Sequence, residues 1–150
     1  MLVGLVVAAL LAGCADEQSP KVGVESNSPI SSPLLPKAAD GTDLAACTDA
    51  VCEVEVKSGD ELKIDAKFRV DTVIVKAIGE DAIALALKGS AGGPNVEGRN
   101  VSSSVRCVNG NCSYTGELAV TTENPERIND VRVSLLNVND DRAILKLAAR

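Results

Sequence analysis

From Cys47 to Ala149, apolar and polar residues keep changing places with a period of two. Only an extended, pleated chain sends successive side chains to opposite faces, so this stretch is built of half-buried strands. In "CEVEVK", Val54 and Val56 alternate with Glu53 and Glu55, and "ELKI" repeats the pattern briefly. "VDTVIVKAIGEDAIALALK" reads as two strands joined by a turn at Gly79 to Asp81. Its second strand puts Ile83, Leu85 and Leu87 on one face and Ala82, Ala84 and Ala86 on the other, and the larger side chains mark the core face. "NVEGRNVSSSVRC" and "CSYTGELAVTT" read as the arms of a hairpin, and "INDVRVSLLNVNDDRAILKLAA" as a last hairpin turning at Asn139 to Asp141. Seven or eight short strands with turns every ~8 to 12 residues predict an all-β fold, an antiparallel β-sandwich or small barrel.

The material for its core is narrow. A chain of 150 residues holds about one domain. Its apolar fraction is 45%, yet it has one Phe, one Tyr and no Trp, so Val, Ile, Leu and Ala must fill the interior. The formal charge of −6 argues against a nucleic-acid partner, which calls for a basic face. The absence of His removes the commonest general base and metal ligand.

The first thirteen residues, "MLVGLVVAALLAG", carry no charged side chain. As a helix they would fall short of the ~30 Å hydrocarbon core, but the run fits the apolar region of an export signal. At its end stand Leu11-Ala12-Gly13-Cys14, followed at once by the polar "ADEQS". These four residues resemble the lipobox of bacterial lipoproteins. That resemblance implies cleavage before Cys14, a diacylglycerol thioether and an N-acyl chain on Cys14, and an extracytoplasmic protein held to the membrane by lipid. Two or more acyl chains suffice for stable anchoring. In a two-membrane cell, Ala15 after the lipidated residue is compatible with the outer membrane. Export signals carry Lys or Arg ahead of the apolar run, which suggests a start codon upstream.

With Cys14 lipidated, four cysteines remain: Cys47 and Cys52 in "CTDAVC", Cys107 and Cys112 in "CVNGNC". Three pairings are possible, and the local one has a geometric argument. Asn109-Gly110 is a strong two-residue hairpin turn. Val108 and Asn111 then form the hydrogen-bonded pair beside it, and Cys107 faces Cys112 in the next, closer pair, within disulfide reach. The expected bonds are Cys47–Cys52 and Cys107–Cys112, each contributing about 2 kcal/mol on the chain-entropy model. A four-thiolate zinc site favours tighter Cys spacing, and a redox pair favours C-x-x-C.

The expected organisation is a signal peptide over 1–13, lipidated Cys14 with a flexible linker over 14–46, and a disulfide-stapled β-domain over 47–150. The linker holds four of the six prolines with many Ser, Asp and Glu, too little apolar surface to offset ordering. The alternative is an ordered strand in "SSPLLPKA" packed on the domain. Shifting the chain by sixty residues lays Cys47 on Cys107, Cys52 on Cys112, Asp81 on Asp141, Leu85 on Leu145 and Leu87 on Leu147. Two pseudo-repeats would give a pseudo-symmetric sandwich whose Cys loops are symmetry mates.

No catalytic constellation is legible. There is no His for a serine hydrolase and no S-x-x-K signature. The acid pairs Glu80-Asp81 and Asp140-Asp141 fall at hairpin turns, where such residues serve the backbone. The Gly-rich "KGSAGGPNVEG" lacks the Lys-Ser or Lys-Thr ending of a phosphate loop. Tyr114 alone makes no carbohydrate platform, and Asn100-Val101-Ser102 is a chance sequon. Neither metal nor cofactor is implied beyond the lipid on Cys14. The expected function is a non-enzymatic envelope lipoprotein that binds a protein or cell-wall component. The alternatives are a carrier or sensor of a small apolar ligand inside the β-domain, and less readily a carboxylate-based hydrolase.

Overall fold

The computed structural model describes residues 35–90 and 93–150. Within them ten strands form: β1 (Val51–Lys57), β2 (Glu61–Lys63), β3 (Thr72–Ile78), β4 (Ala82–Gly89), β5 (Val96–Glu97), β6 (Ser102–Val108), β7 (Asn111–Thr121), β8 (Glu126–Ile128), β9 (Val131–Asn139) and β10 (Arg142–Ala149). They make two five-stranded antiparallel sheets, ordered β1-β10-β9-β8-β5 and β2-β3-β4-β7-β6, that face each other as a sandwich. The period-two reading sets the inner faces. Val54 and Val56 are buried between Glu53 and Glu55, and Ile83, Leu85 and Leu87 are buried while Ala84 faces out. Leu118, Val120, Val133, Leu135, Leu145 and Leu147 complete an almost wholly aliphatic core.

Ten strands replace the seven or eight expected because two long readings divide. "NVEGRNVSSSVRC" breaks at Asn100, whose φ of 55° is left-handed, and β5 and β6 join different sheets. "INDVRVSLLN" breaks at Asn129, φ 53°, where a two-residue turn separates β8 from β9. Strands of two or three residues are too short to show a period. Two 3-10 helices, Leu44–Asp49 and Ala66–Phe68, are capped by the side chains of Asp43 and Asp65, which accept from the N–H of Ala45 and Lys67.

The domain also starts earlier than Cys47. Ala38 is buried, and Asp40 and Gly41 exchange backbone hydrogen bonds with Glu53 and Glu55 of β1. The reason is an edge to be covered, which the polar composition of 38–46 does not advertise. Residues 1–34, including the Leu11-to-Cys14 motif and most of the linker, lie outside the described residues.

The register shows a pseudo-two-fold relation between the halves. Val75 pairs with Leu85 and Ala77 with Ala84, leaving Lys76 as a bulge; Leu135 pairs with Leu145 and Asn137 with Ile144, leaving Leu136 as a bulge. Every one of these positions differs from its mate by sixty. The strands paired with β10 and β4 follow with a different offset: β1 sets Val54 opposite Leu145, and β7 sets Leu118 opposite Leu85, an offset of 118 − 54 = 64. The four extra residues are accommodated in the β2–β3 connection, which carries the helix Ala66–Phe68, whereas β8 and β9 meet across Asn129-Asp130. Each sheet thus joins three strands of one half to the first strand of the other. The offset of 64 also corrects the expectation about the cysteines. Cys52 corresponds to Gly116, not to Cys112, so the two Cys loops are not symmetry mates.

Candidate functional site

A sandwich of two open sheets has four edges, and unpaired edges invite other chains. The β1 edge is closed. The N–H of Val51 donates to the Asp49 carboxylate at 2.9 Å, that of Glu53 to Asp40 at 2.8 Å, that of Glu55 to the Gly41 carbonyl at 2.7 Å, and that of Lys57 to Asp60 at 2.9 Å. Three Asp carboxylates and one backbone carbonyl therefore occupy every outward N–H of that strand. The β2 edge is three residues long with the helix Leu44–Asp49 packed on it, and β5 is two residues long.

The fourth edge, β6, is different. Its pairing with β7 runs without a bulge from Ser102↔Glu117 to Val108↔Asn111, through the expected turn at Asn109-Gly110, where both residues have positive φ, 51° and 81°. Such a turn makes Val108 and Asn111 a hydrogen-bonded pair, and the alternation continues to Arg106, Ser104 and Ser102. Ser103, Val105 and Cys107 consequently point their backbone N–H and C=O away from β7. Among the described residues no backbone hydrogen bond reaches those six groups. All seven residues of β6 are exposed, Val105 at 56% and Val108 at 55%. No Pro, Lys or bulge interrupts the strand.

The hairpin is cross-linked at its tip and packed over one aromatic side chain. Cys107 and Cys112 are joined, their Cα atoms 4.0 Å apart, at the exposed end; Cys47 and Cys52 are joined in the interior, 5.0 Å apart. Under the hairpin lies Tyr114, 3% exposed, its ring against Gly93 and its hydroxyl over Gly116. Among the described residues that hydroxyl has no hydrogen-bond partner. Burial pushes the phenol pKa up, and the neighbouring Ser103 side chain opposes the shift.

The other motifs are placed elsewhere. Glu80 and Asp140, from the two acid pairs, line one crevice of about 370 Å³ with Ile78, Gly79, Val138 and Asn139, at the matching hairpin turns of the two halves. Among the described residues no three Cys, Asp or Glu side chains are grouped to hold a metal ion. A groove of about 390 Å³ on the outer face of the second sheet is walled by Ala86, Lys88, Ser102, Ser104, Thr115 and Glu117. It runs along the root of β6. Asn100 sits in the turn leading into β6.

Comparison with protein-family models, curated proteins and solved structures finds no match. The edge was partly foreshadowed in the chain: "SSSVRC" is polar at both parities, the mark of a strand wet on both faces. Its position at the end of a sheet is a long-range property that no local pattern carries. The three Asp residues that close β1 read individually as turn formers.

Proposed function

We propose that this chain is a non-enzymatic, extracytoplasmic lipoprotein that binds a protein partner by accepting an extended strand along β6. One observation carries the reading: β6 is a full-length, unguarded edge in a fold that closes or shortens its other three. Strand addition supplies affinity through main-chain hydrogen bonds, which three donors and three acceptors at Ser103, Val105 and Cys107 offer. The Leu11-Ala12-Gly13-Cys14 motif supports lipid attachment at Cys14. The two disulfides are compatible with an oxidising compartment, and no described helix is long and apolar enough to cross a membrane.

A photo-crosslinking amino acid at Val105, compared with one at exposed Lys146 on the opposite sheet, tests the edge in the intact envelope. A discrete adduct from position 105 alone is expected; equal labelling from both positions, or none from 105, removes the reading. Cys14→Ser tests the anchor. Release from the membrane fraction is expected, and full retention would refute lipid anchoring.

A further inference from the structure

We propose that the strand accepted by β6 is β6 of a second copy of this chain, giving an isologous dimer in which two five-stranded sheets become one of ten. This inference rests on the edge reading above and names its occupant.

The strand is self-complementary in one register. Place a two-fold axis at Val105, the midpoint of Ser102–Val108. Antiparallel pairing then sets Val105 opposite Val105 of the second copy, Ser103 opposite Cys107, Ser104 opposite Arg106 and Ser102 opposite Val108. All three outward-facing residues of each strand fall in hydrogen-bonded pairs, so every open donor and acceptor is used. Sliding one strand by two residues moves the axis by one, to Ser104 or Arg106, and leaves two residues of each strand past the end of the other. Among symmetric registers that keep this facing, only the one centred on Val105 engages the whole strand.

Charge and shape agree with it. Arg106 is the sole charged residue of β6; in this register it meets a Ser hydroxyl and not its own copy, so no like charges are opposed. Val105, 56% exposed in the single chain, meets its apolar equivalent. All seven residues of β6 are exposed in the single chain. A closed two-fold contact of this kind uses up both edges and stops at two copies.

The test uses the full chain. Differently tagged copies are co-expressed with the photo-crosslinker at position 105. A product joining the two tags supports the dimer. A product joining position 105 to a different protein overturns the second-copy inference while leaving the edge reading in place; no product at all ends both. On the purified chain in detergent, amide exchange at Ser103, Val105 and Cys107 is expected to slow as concentration rises, while Ser102, Ser104 and Arg106 stay protected throughout. Uniform fast exchange at the first three, at every concentration, would overturn the inference.

Two variants read the register. Val105→Pro removes an outward N–H that β7 does not use, which an edge strand tolerates, and should leave a folded monomer. Ser104→Glu places a carboxylate opposite Arg106 of the second copy, twice per dimer, and should tighten association roughly two- to thirtyfold. A Val105→Pro chain that still dimerises, or a Ser104→Glu chain no tighter than the parent, contradicts the pairing.

Discussion

Tyr114 carries a hydroxyl into the interior and leaves it without a hydrogen bond among the described residues, so the usual sign of a tyrosine substitution is reversed here. A buried, unsatisfied polar group costs about 1 to 3 kcal/mol. Tyr114→Phe should therefore leave the urea midpoint at neutral pH unchanged or raise it. Alkaline pH separates the two proteins further. The phenol pKa is raised in the folded chain by burial, with Ser103 opposing. Its contribution is thus fully present below the unfolded value of 10.0 and is lost as pH rises through the folded value, because the unfolded chain releases its proton first. The parent should lose stability above pH 10 by an amount that Tyr114→Phe does not. Equal alkaline losses in paired urea titrations would show that the phenol ionises freely in the fold. The tight site has a second consequence at Gly116, where a Cβ would collide with the Tyr114 hydroxyl. Neither feature is legible in the chain, since Tyr114 and Gly116 are neighbours only through one face of β7.

Strands declare themselves when they are long and one-sided. Val54 and Val56, or Ile83, Leu85 and Leu87, alternate with polar or small neighbours over enough residues to set both the element and its inner face. The three-residue β8 gives no such period, and it carries the buried Glu126, whose carboxylate accepts the Arg99 N–H at 3.3 Å. The covering of β1 was equally hidden. "AADGTD" has the composition of a tether, yet Asp40 donates its N–H to the Glu53 carbonyl and takes the Glu53 N–H on its carboxylate, at 2.9 and 2.8 Å. Hydrogen bonds to charged groups contribute about 1.5 to 3 kcal/mol. Asp40→Ala should lower stability by about that amount and, more tellingly, expose the β1 edge. The Glu53 amide should exchange much faster while Val54, paired inward, changes little. An unchanged Glu53 amide would mean that the carboxylate is dispensable and the backbone contact alone closes the edge.

The two halves repeat one plan, down to the bulges at Lys76 and Leu136, and they differ where the extra helix Ala66–Phe68 interrupts the first. Sixty-residue matches at Leu85/Leu145 and Leu87/Leu147 made the hairpin repeat legible. The coincident spacing of the cysteines misled, because four inserted residues had moved the true correspondence to Gly116. Asn129 ties this asymmetry together. In the left-handed conformation that Asn tolerates, its N–H donates to the Asn95 carbonyl at 2.8 Å and its Oδ1 accepts from the Asn95 N–H at 2.7 Å. Its Nδ2 donates to the Phe68 carbonyl, also at 2.7 Å, sixty-one positions away. One side chain thus joins the β8–β9 turn, the approach to β5 and the inserted helix of the other half. Asn129→Ala should cost about 2 to 4 kcal/mol, two side-chain hydrogen bonds together with the strain of a Cβ-bearing residue at positive φ. Asn129→Asp isolates the link between the halves, since it keeps the acceptor and turns a carboxylate oxygen toward the Phe68 carbonyl. That repulsion disfavours the charged form in the fold and raises its pKa. The stability of this variant should recover toward the parent below about pH 4, where the protonated carboxyl can donate. A pH-independent deficit would place the whole role of Asn129 on the Asn95 side and leave the inserted helix unanchored by it.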